Sequence, residues 1–368
     1  MGMYDRPAKV LRPEIDPGRR LLVVSDIHGN LPYFHGVLEK AKFGGDDLLI
    51  VDGDFLEKGA ESLSTLREIM ALCESGRAIA LMGNCDDWSA IFTETGAWAD
   101  KLLSYMRWRR CGLLWDMALE LGEDPAAIGD FEAFKGRLAP AFEREFAFLA
   151  SLPQALEAGN YIFAHAAVYP DRPLEEHNIG QLVRCDAWYR QGWSFDKWVV
   201  VGHYPVVLYG EEIVCADPII DRDRHIVCLD GGCVLKDDGQ LNCLVIDGVN
   251  SDAPSFVAYD PFPEKRVLSD QRGSEHSAYI RWGDSRVEVL ERGEEFSRCR
   301  HVRTGYELEI LTKYLFEPGR FTDCNDCTDY VLPLRAGDLV RVVETSSRGY
   351  FVKHGGTSGW YFGELEDL

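Results

Sequence analysis

Three short apolar runs, "LLVVS" (21–25), "DLLIV" (47–51) and "AIALMGN" (78–84), alternate with two helix-compatible stretches, and this alternation constrains the fold more than any other feature. The stretches between them are "LPYFHGVLEKAKF" and "AESLSTLREIMALCESG", the second with apolar residues at 63, 66, 69, 70 and 72. Strand, helix, strand, helix, strand at this spacing implies parallel pairing, because parallel neighbours need a crossover of about a dozen residues. In such sheets functional groups collect beyond the carboxyl ends of the strands. Asp26, Asp54 and Asn84 all fall at those ends.

From about 88 to 150 the pattern turns helical and aromatic, with Trp88, Trp98, Tyr105, Trp108 and Trp115. Apolar stripes of this kind predict a helical insertion that buries its own aromatics; the sharper alternative is a lid over a cleft. Strands return at "YIFAHAAV" (161–168), "KWVVVGHYPVV" (197–207), "HIVCLD" (225–230) and "LNCLVID" (241–247), a second set that supplies the other half of a two-layered core. A turn-rich segment at 247–266 marks a boundary, and beyond it only short β segments separated by Gly, Ser and Asp remain. The expected domains are 20–250, with 88–150 inserted; a linker with short β segments at 251–301; and a small all-β barrel at 302–368.

At 368 residues the chain is long enough for two domains. Its formal charge of −22 argues against a nucleic-acid backbone or an anionic membrane as partner. A phosphorylated small substrate stays open, since metal ions can invert the field in one cleft. The eleven cysteines are odd in number and irregularly spaced, as expected of reduced thiols in the cytoplasm. The N-terminal stretch lacks the apolar core of a signal peptide, and no run is apolar enough to span a bilayer.

The chemistry lies in an ordered set of motifs. "VVSDIHGNL" (23–31) carries Asp26 and His28; then come "GDFLEKG" (53–59), "GNCDD" (83–87), "FAHAAVYP" (163–170) and "VGHYPV" (201–206). Carboxylates, an amide oxygen and imidazoles recur just past apolar strands, a ligand set suited to two divalent transition metals. Burying Asp26 and Asp54 without a cation would be costly.

This ordered set resembles the calcineurin-like metallophosphoesterase superfamily over roughly residues 20–250. The resemblance implies an α/β fold, a four-layer αββα sandwich with a helical insertion, and two divalent ions: manganese first, with iron, zinc or nickel as alternatives. By the same resemblance Asp26 and His28 hold the first ion, Asp54 bridges both, and Asn84, His165 and His203 complete the second. A hydroxide between the metals would attack phosphorus in line. "FAFLASLPQALEAGNYIFAHAAVYP" (146–170) and "VGHYPVV" point to the protein-phosphatase-like branch, which includes dinucleoside-tetraphosphatases, and hence to a phosphomonoester substrate.

Two departures qualify the likeness. Cys85 stands where the branch carries an imidazole acid, and "GNCD" is similar to a group of small phosphodiesterases. In "GDFLEKG", Glu57 replaces the carboxylate that orients the acid, and Lys58 replaces a phosphate-gripping Arg, keeping the charge but losing the bidentate fork. Pro205 occupies the place of a second His found in the diesterase branches, which counts against a diesterase and implies only three protein ligands for the first ion. Arg184 and Arg190 are the candidates for a further phosphate contact. A diesterase, and a catalytically weakened metal- or phosphate-binding scaffold, are therefore the alternatives to a monoesterase.

Residues 302–368 resemble bacterial SH3-like domains through "LPLRAGDLVRVVETSSRGYFVKHGGTSGWYFGELED". That resemblance implies a small β-barrel able to take a peptide or protein partner, with Trp360, Tyr361 and Tyr350 as groove or core. The lone "CNDC" (324–327) is read as a loop with two thiols, since no second Cys or His pair lies nearby.

Overall fold

The computed structural model describes residues 3–88 and 95–368; side chains are described for 4–88 and 99–368, so Trp98 lies outside them. The chain forms two compact units. One comprises the residues up to Pro205 with Pro218–Leu235 and Gly239–Asp260; the other comprises Val206–Asp217, Lys236–Asp238 and Pro261–Leu368.

The first unit contains β1 (Val10–Leu11), β2 (Leu21–Val24), β3 (Leu48–Asp52), β4 (Ala78–Leu81), β5 (Ala155–Ala158), β6 (Tyr161–Ala164) and β7 (Trp198–Val201). The short β8 (Val214–Cys215) belongs to the second unit, and β9 (Ile219–Asp221), β10 (Ile226–Cys228), β11 (Leu241–Ile246) and β12 (Ser255–Tyr259) return to the first. Its helices are α1 (Leu31–Lys40), α2 (Ser62–Glu74), α3 (Thr95–Arg109), α4 (Leu113–Glu120), α5 (Phe131–Ala141), α6 (Glu143–Ser151) and α7 (Ile179–Val183).

The predicted βαβαβ unit is β2-α1-β3-α2-β4. Its strands pair in parallel, and β11 and β12 extend the sheet antiparallel in the order β12-β11-β2-β3-β4. A second sheet runs β1-β5-β6-β7-β10-β9, with β6, β7 and β10 parallel. β2 and β3 are buried along their whole length, as continuous apolar runs in parallel sheets should be.

One apolar cluster joins the two sheets. It packs Leu21, Val23, Ile50 and Leu244 of the first against Tyr161, Phe163, Trp198 and Val227 of the second. Each such side chain contributes about 1.5–3 kcal/mol on burial. Truncating Phe163 to Ala would cost about 3–5 kcal/mol. Helices α1 and α2 bury Phe34, Val37, Leu66 and Ile69 and pack on strands of the first sheet. The start of α1 is fixed locally: the Asn30 side chain accepts from the Tyr33 amide at 3.4 Å, and Pro32 sits in the first turn.

The second unit is all β apart from short 3-10 turns: β13 (Glu264–Val267), β14 (Tyr279–Ile280), β15 (Arg286–Glu291), β16 (Phe296–His301), β17 (Glu307–Leu311), β18 (Phe321–Asp323), β19 (Cys327–Thr328), β20 (Leu339–Ser346), β21 (Gly349–His354), β22 (Thr357–Tyr361) and β23 (Leu365–Asp367). They form three open sheets: β23-β13-β20-β21-β22-β8, β17-β16-β15-β18 and β14-β19. The closed barrel expected over 302–368 is not found among the described residues. The reason lies in long-range pairing: β13 seats between β20 and β23, and β8 takes the edge beside β22. Tyr361 is fully buried, with Val267, Val340 and Val352 around it. Cys324 and Cys327 pack with Cys299 in a separate apolar cluster. No helix among the described residues is long and apolar enough to cross a membrane.

Candidate metal centre

The carboxyl ends of β2, β3, β6 and β7 release the chain into turns that carry Asp26, Asp54, His165 and His203. Asp26, His28, Asp54, Glu57, Lys58 and His203 all hold left-handed backbone, with φ of 56°, 52°, 49°, 66°, 69° and 67°. This conformation costs a non-glycine residue about 1–2 kcal/mol, and such strain concentrates where function requires it. The turns are tied together: the Asp26 amide donates to Gly53 O and the His28 amide to Asp54 O, both at 3.0 Å.

Two glycines let these turns close. A Cβ on Gly83 would stand 2.2 Å from both the amide nitrogen and Oδ1 of Asp54. One on Gly202 would stand 2.0 Å from Ser25 Oγ and 2.2 Å from Asp26 Oδ2. The "GN" and "GH" pairs are therefore fixed by packing around the two aspartates.

Each histidine commits one ring nitrogen to the protein and turns the other inward. His28 Nδ1 lies 3.2 Å from Leu56 O, His165 Nδ1 2.9 Å from Asp52 O, and His203 Nε2 3.2 Å from Asp186 Oδ1. This is the arrangement by which a supporting acceptor sets the tautomer of a metal-binding imidazole. Two groups result. His28, Asp54 and Cys85 offer ligand atoms all within 4.8 Å of one another, and so do Asp54, His165 and His203. Asn84 adjoins the second: one end of its amide is 2.7 Å from His203 Nδ1 and 3.3 Å from Val183 O. With nitrogen there the amide donates to both; with oxygen there it and the imidazole present converging lone pairs, as two ligands of one cation do.

The electrostatics demand positive charge. Asp26 Oδ1, Asp230 Oδ2, both Asp52 carboxylate oxygens and His165 Nε2 are buried without a hydrogen-bond partner. Burial, reinforced by Asp230, pushes the Asp26 carboxyl well above its usual range. Burial likewise lifts Asp230 to about 6 and Asp52 to about 7. Burial opposes charge on Asp54 too, but His165, His28 and Lys58 outweigh it and hold that carboxyl well below the usual range. Burial and then Lys58 lower His28 to about 3, leaving it a neutral ligand. His165 is raised to about 10: burial works against its proton, but the Asp54 and Asp26 charges prevail. Unpaired buried anions cost several kcal/mol each in practice, so the donor set fits divalent cations.

The remaining candidates sit as follows. Lys58 Nζ reaches 3.2 Å from His28 Nε2. The Cys85 amide donates to Asp54 Oδ1 at 2.7 Å, and its thiol is raised well above the usual range by burial and then by Asp54. Glu57 turns toward the helical insertion. Its Oε1 accepts from the Leu113 amide at 2.9 Å, capping α4 where Gly112 offers no side chain, in a pocket shared with Trp88, Tyr105 and Trp115. Arg184 is exposed and stacks 4.4 Å over the Tyr4 ring; Arg190 is exposed in the turn after Trp188. Pro205 is buried and offers no ligand atom.

Sequence reasoning passes over two carboxylates. Asp86 accepts from the amides of Asp54 (2.7 Å), Gly83 (2.9 Å) and Leu56 (3.2 Å), knotting two site loops together. Asp230 follows β10 and accepts from the Gly232 amide at 2.8 Å. It ends an apolar strand just as Asp26 does, and that position is the signal that could have found it.

No curated protein matches the chain. Among solved structures, a candidate diadenosine tetraphosphatase is 21% identical, with 69% of this chain and 99% of that one covered and a TM-score of 0.45. A protein serine/threonine phosphatase from Saccharomyces cerevisiae is 11% identical, covering 69% and 84%, with a TM-score of 0.41. A metallophosphoesterase from Sphaerobacter thermophilus is 17% identical, covering 66% and 89%, with a TM-score of 0.36. The family description "Calcineurin-like phosphoesterase" matches residues 19–233, more than half of the chain and the whole span that carries these ligands. On that match the chain belongs to the calcineurin-like phosphoesterase family.

Proposed function

We propose that the chain is a dinuclear-metal-dependent phosphoesterase acting on a phosphomonoester, whether phosphoprotein, nucleotide or small phosphate ester. The observation that carries this is the shared carboxylate: Asp54 belongs to both ligand groups. Asp26, His28 and Asp54 would hold one cation, and Asp54, Asn84, His165 and His203 the other; manganese is the first expectation. Divalent ions there supply Lewis-acid stabilisation and a template for in-line displacement.

The chain's own groups do the rest. Lys58 places a positive charge beside His28 for a phosphate oxygen, with Arg184 and Arg190 as further candidates. Asp186 holds the His203 ring, and Asp86 holds the Asp54 loop. A half-buried thiol at Cys85, raised well above the usual range, is a poor proton donor near neutral pH, so leaving groups that depart without protonation are favoured. That observation keeps the diesterase reading as the second choice, since it separates this chain from imidazole-assisted monoesterases. We place the work in the cytoplasm, where free thiols persist. The second unit, where Trp360 stacks on Phe362 at 6.3 Å, is the candidate peptide-binding module.

The test is Mn²⁺-dependent hydrolysis of 4-nitrophenyl phosphate beside bis(4-nitrophenyl) phosphate, with a folded Asp54→Asn control. Monoester turnover that the control lacks supports the proposal. Preference for the diester moves the assignment to that class, and no turnover with metal bound leaves the scaffold reading.

A further inference from the structure

We propose that Cys85 is itself a metal ligand, so that His28, Asp54 and Cys85 give one half of the centre a preference for thiophilic divalent ions such as zinc or cobalt. The proposal rests on the two-cation reading of this site and deepens it by naming a donor and an ion class.

Geometry comes first. Ligand atoms at about 2.0–2.3 Å from a zinc-like ion stand no more than about 4.5 Å apart across it. The donor atoms of His28, Asp54 and Cys85 all lie within 4.8 Å of one another, so one ion can reach all three with small side-chain adjustments. The backbone fixes the thiol there, because the Cys85 amide is bonded to the Asp54 carboxylate at 2.7 Å. His28 keeps Nε2 for the ion, since its Nδ1 faces Leu56 O at 3.2 Å.

Independent features point to a cation at the same place. Asp26 Oδ1 is buried, lacks any hydrogen-bond partner and lies 3.7 Å from His28 Nε2. Asp230 Oδ2 is also buried and unpartnered. Lys58 Nζ is drawn in to 3.2 Å from His28 Nε2, as positive charge should be. Pro205 supplies no donor on the β7 side. A soft sulfur among oxygen and imidazole donors shifts selectivity toward zinc, cobalt and cadmium and away from manganese and magnesium.

The step balances simply. The Cys85 S–H bond breaks, its proton leaves to solvent, and the sulfur lone pair forms the bond to the ion, with no change of oxidation state.

The experiment uses the full chain, stripped with chelator and titrated with Co²⁺. Thiolate coordination gives a near-ultraviolet sulfur-to-cobalt charge-transfer band alongside the visible d–d bands that report binding itself. The band should appear in the wild type, persist in Cys233→Ser, whose thiol is also buried near this site, and vanish in Cys85→Ser while cobalt still binds. The cobalt-over-manganese affinity ratio should fall in Cys85→Ser by about tenfold or more, the scale that even supporting partners carry. X-ray absorption of the zinc-loaded wild type needs no variant: a Zn–S shell near about 2.3 Å supports the proposal. Bound cobalt without the band, a band surviving Cys85→Ser, or a zinc shell of nitrogen and oxygen alone overturns it. If phosphate ester is hydrolysed while no thiolate signal appears, the ligand proposal falls and the phosphoesterase reading stands. A thiolate signal without hydrolysis supports the ligand and removes the phosphoesterase reading.

Discussion

Asp54 Oδ1 accepts the Cys85 amide at 2.7 Å and lies 3.3 Å from His165 Nε2, so one oxygen anchors the "GNCD" loop while facing the second ligand group. The carboxylate that both groups share is thus held by backbone before any ion arrives. Pre-organisation of this kind lowers the cost of assembling a site.

Gly83→Ala tests that anchoring. The new methyl would press on the Asp54 amide and carboxylate at 2.2 Å. Overpacking of this severity costs about 1–3 kcal/mol, and the displaced Asp54 should weaken metal binding as well. Urea denaturation and calorimetric Mn²⁺ titration are the measurements; wild-type values in both would show that the close approach is unimportant.

Removing metal should destabilise the fold. Asp26, Asp52 and Asp230 then stay buried without compensation. A ligand at 100 times its dissociation constant stabilises by about 2.7 kcal/mol, so chelation should lower the melting temperature by several degrees and Mn²⁺ should restore it. A melting curve indifferent to chelator would mean the centre binds no ion.

Lys58→Ala separates two roles of one charge. Loss of the ammonium at 3.2 Å from His28 Nε2 should tighten divalent-metal binding by relieving repulsion. It should also raise KM for a phosphate ester, by about tenfold for a lost charged contact of roughly 1.5 kcal/mol. Lys58→Arg should recover most of the second effect. A variant with unchanged KM would remove Lys58 from substrate binding.

Glu57 carries a pH signature away from the ligands. Burial raises it to about 7, against the pull of the Leu113 amide. Its contribution to stability is complete below the unfolded pKa of about 4.3 and is lost as pH rises through about 7. Glu57→Gln keeps the acceptor and removes the titration. The variant should therefore gain on the wild type between pH 5 and 8, by about 1–3 kcal/mol at the upper end. A difference that stays flat with pH would refute the buried-acid assignment.

Local pattern carries position in the first unit. An Asp or Asn closing an apolar run in a βαβ unit must emerge at the carboxyl end of its strand, and Asp26, Asp54 and Asn84 do. Asp230 escapes although it obeys the same rule, because a short apolar strand outside the βαβ unit reads as core alone. Glu57 cannot be placed from sequence: its partner, the Leu113 amide, lies 56 residues away in the insertion. The second unit shows the limit most plainly. Its strands are legible as strands, but nothing local announces that β13 will seat between β20 and β23.

The left-handed turns at the strand ends have a practical consequence for anyone improving this protein. Variants selected for heat tolerance in chelating buffer would be rewarded for relaxing Asp26, His28 or Asp54 toward ordinary backbone, and would drift into robust but metal-blind scaffolds. Selection in the presence of the ion reverses that pressure, because there the strained geometry is the stable one.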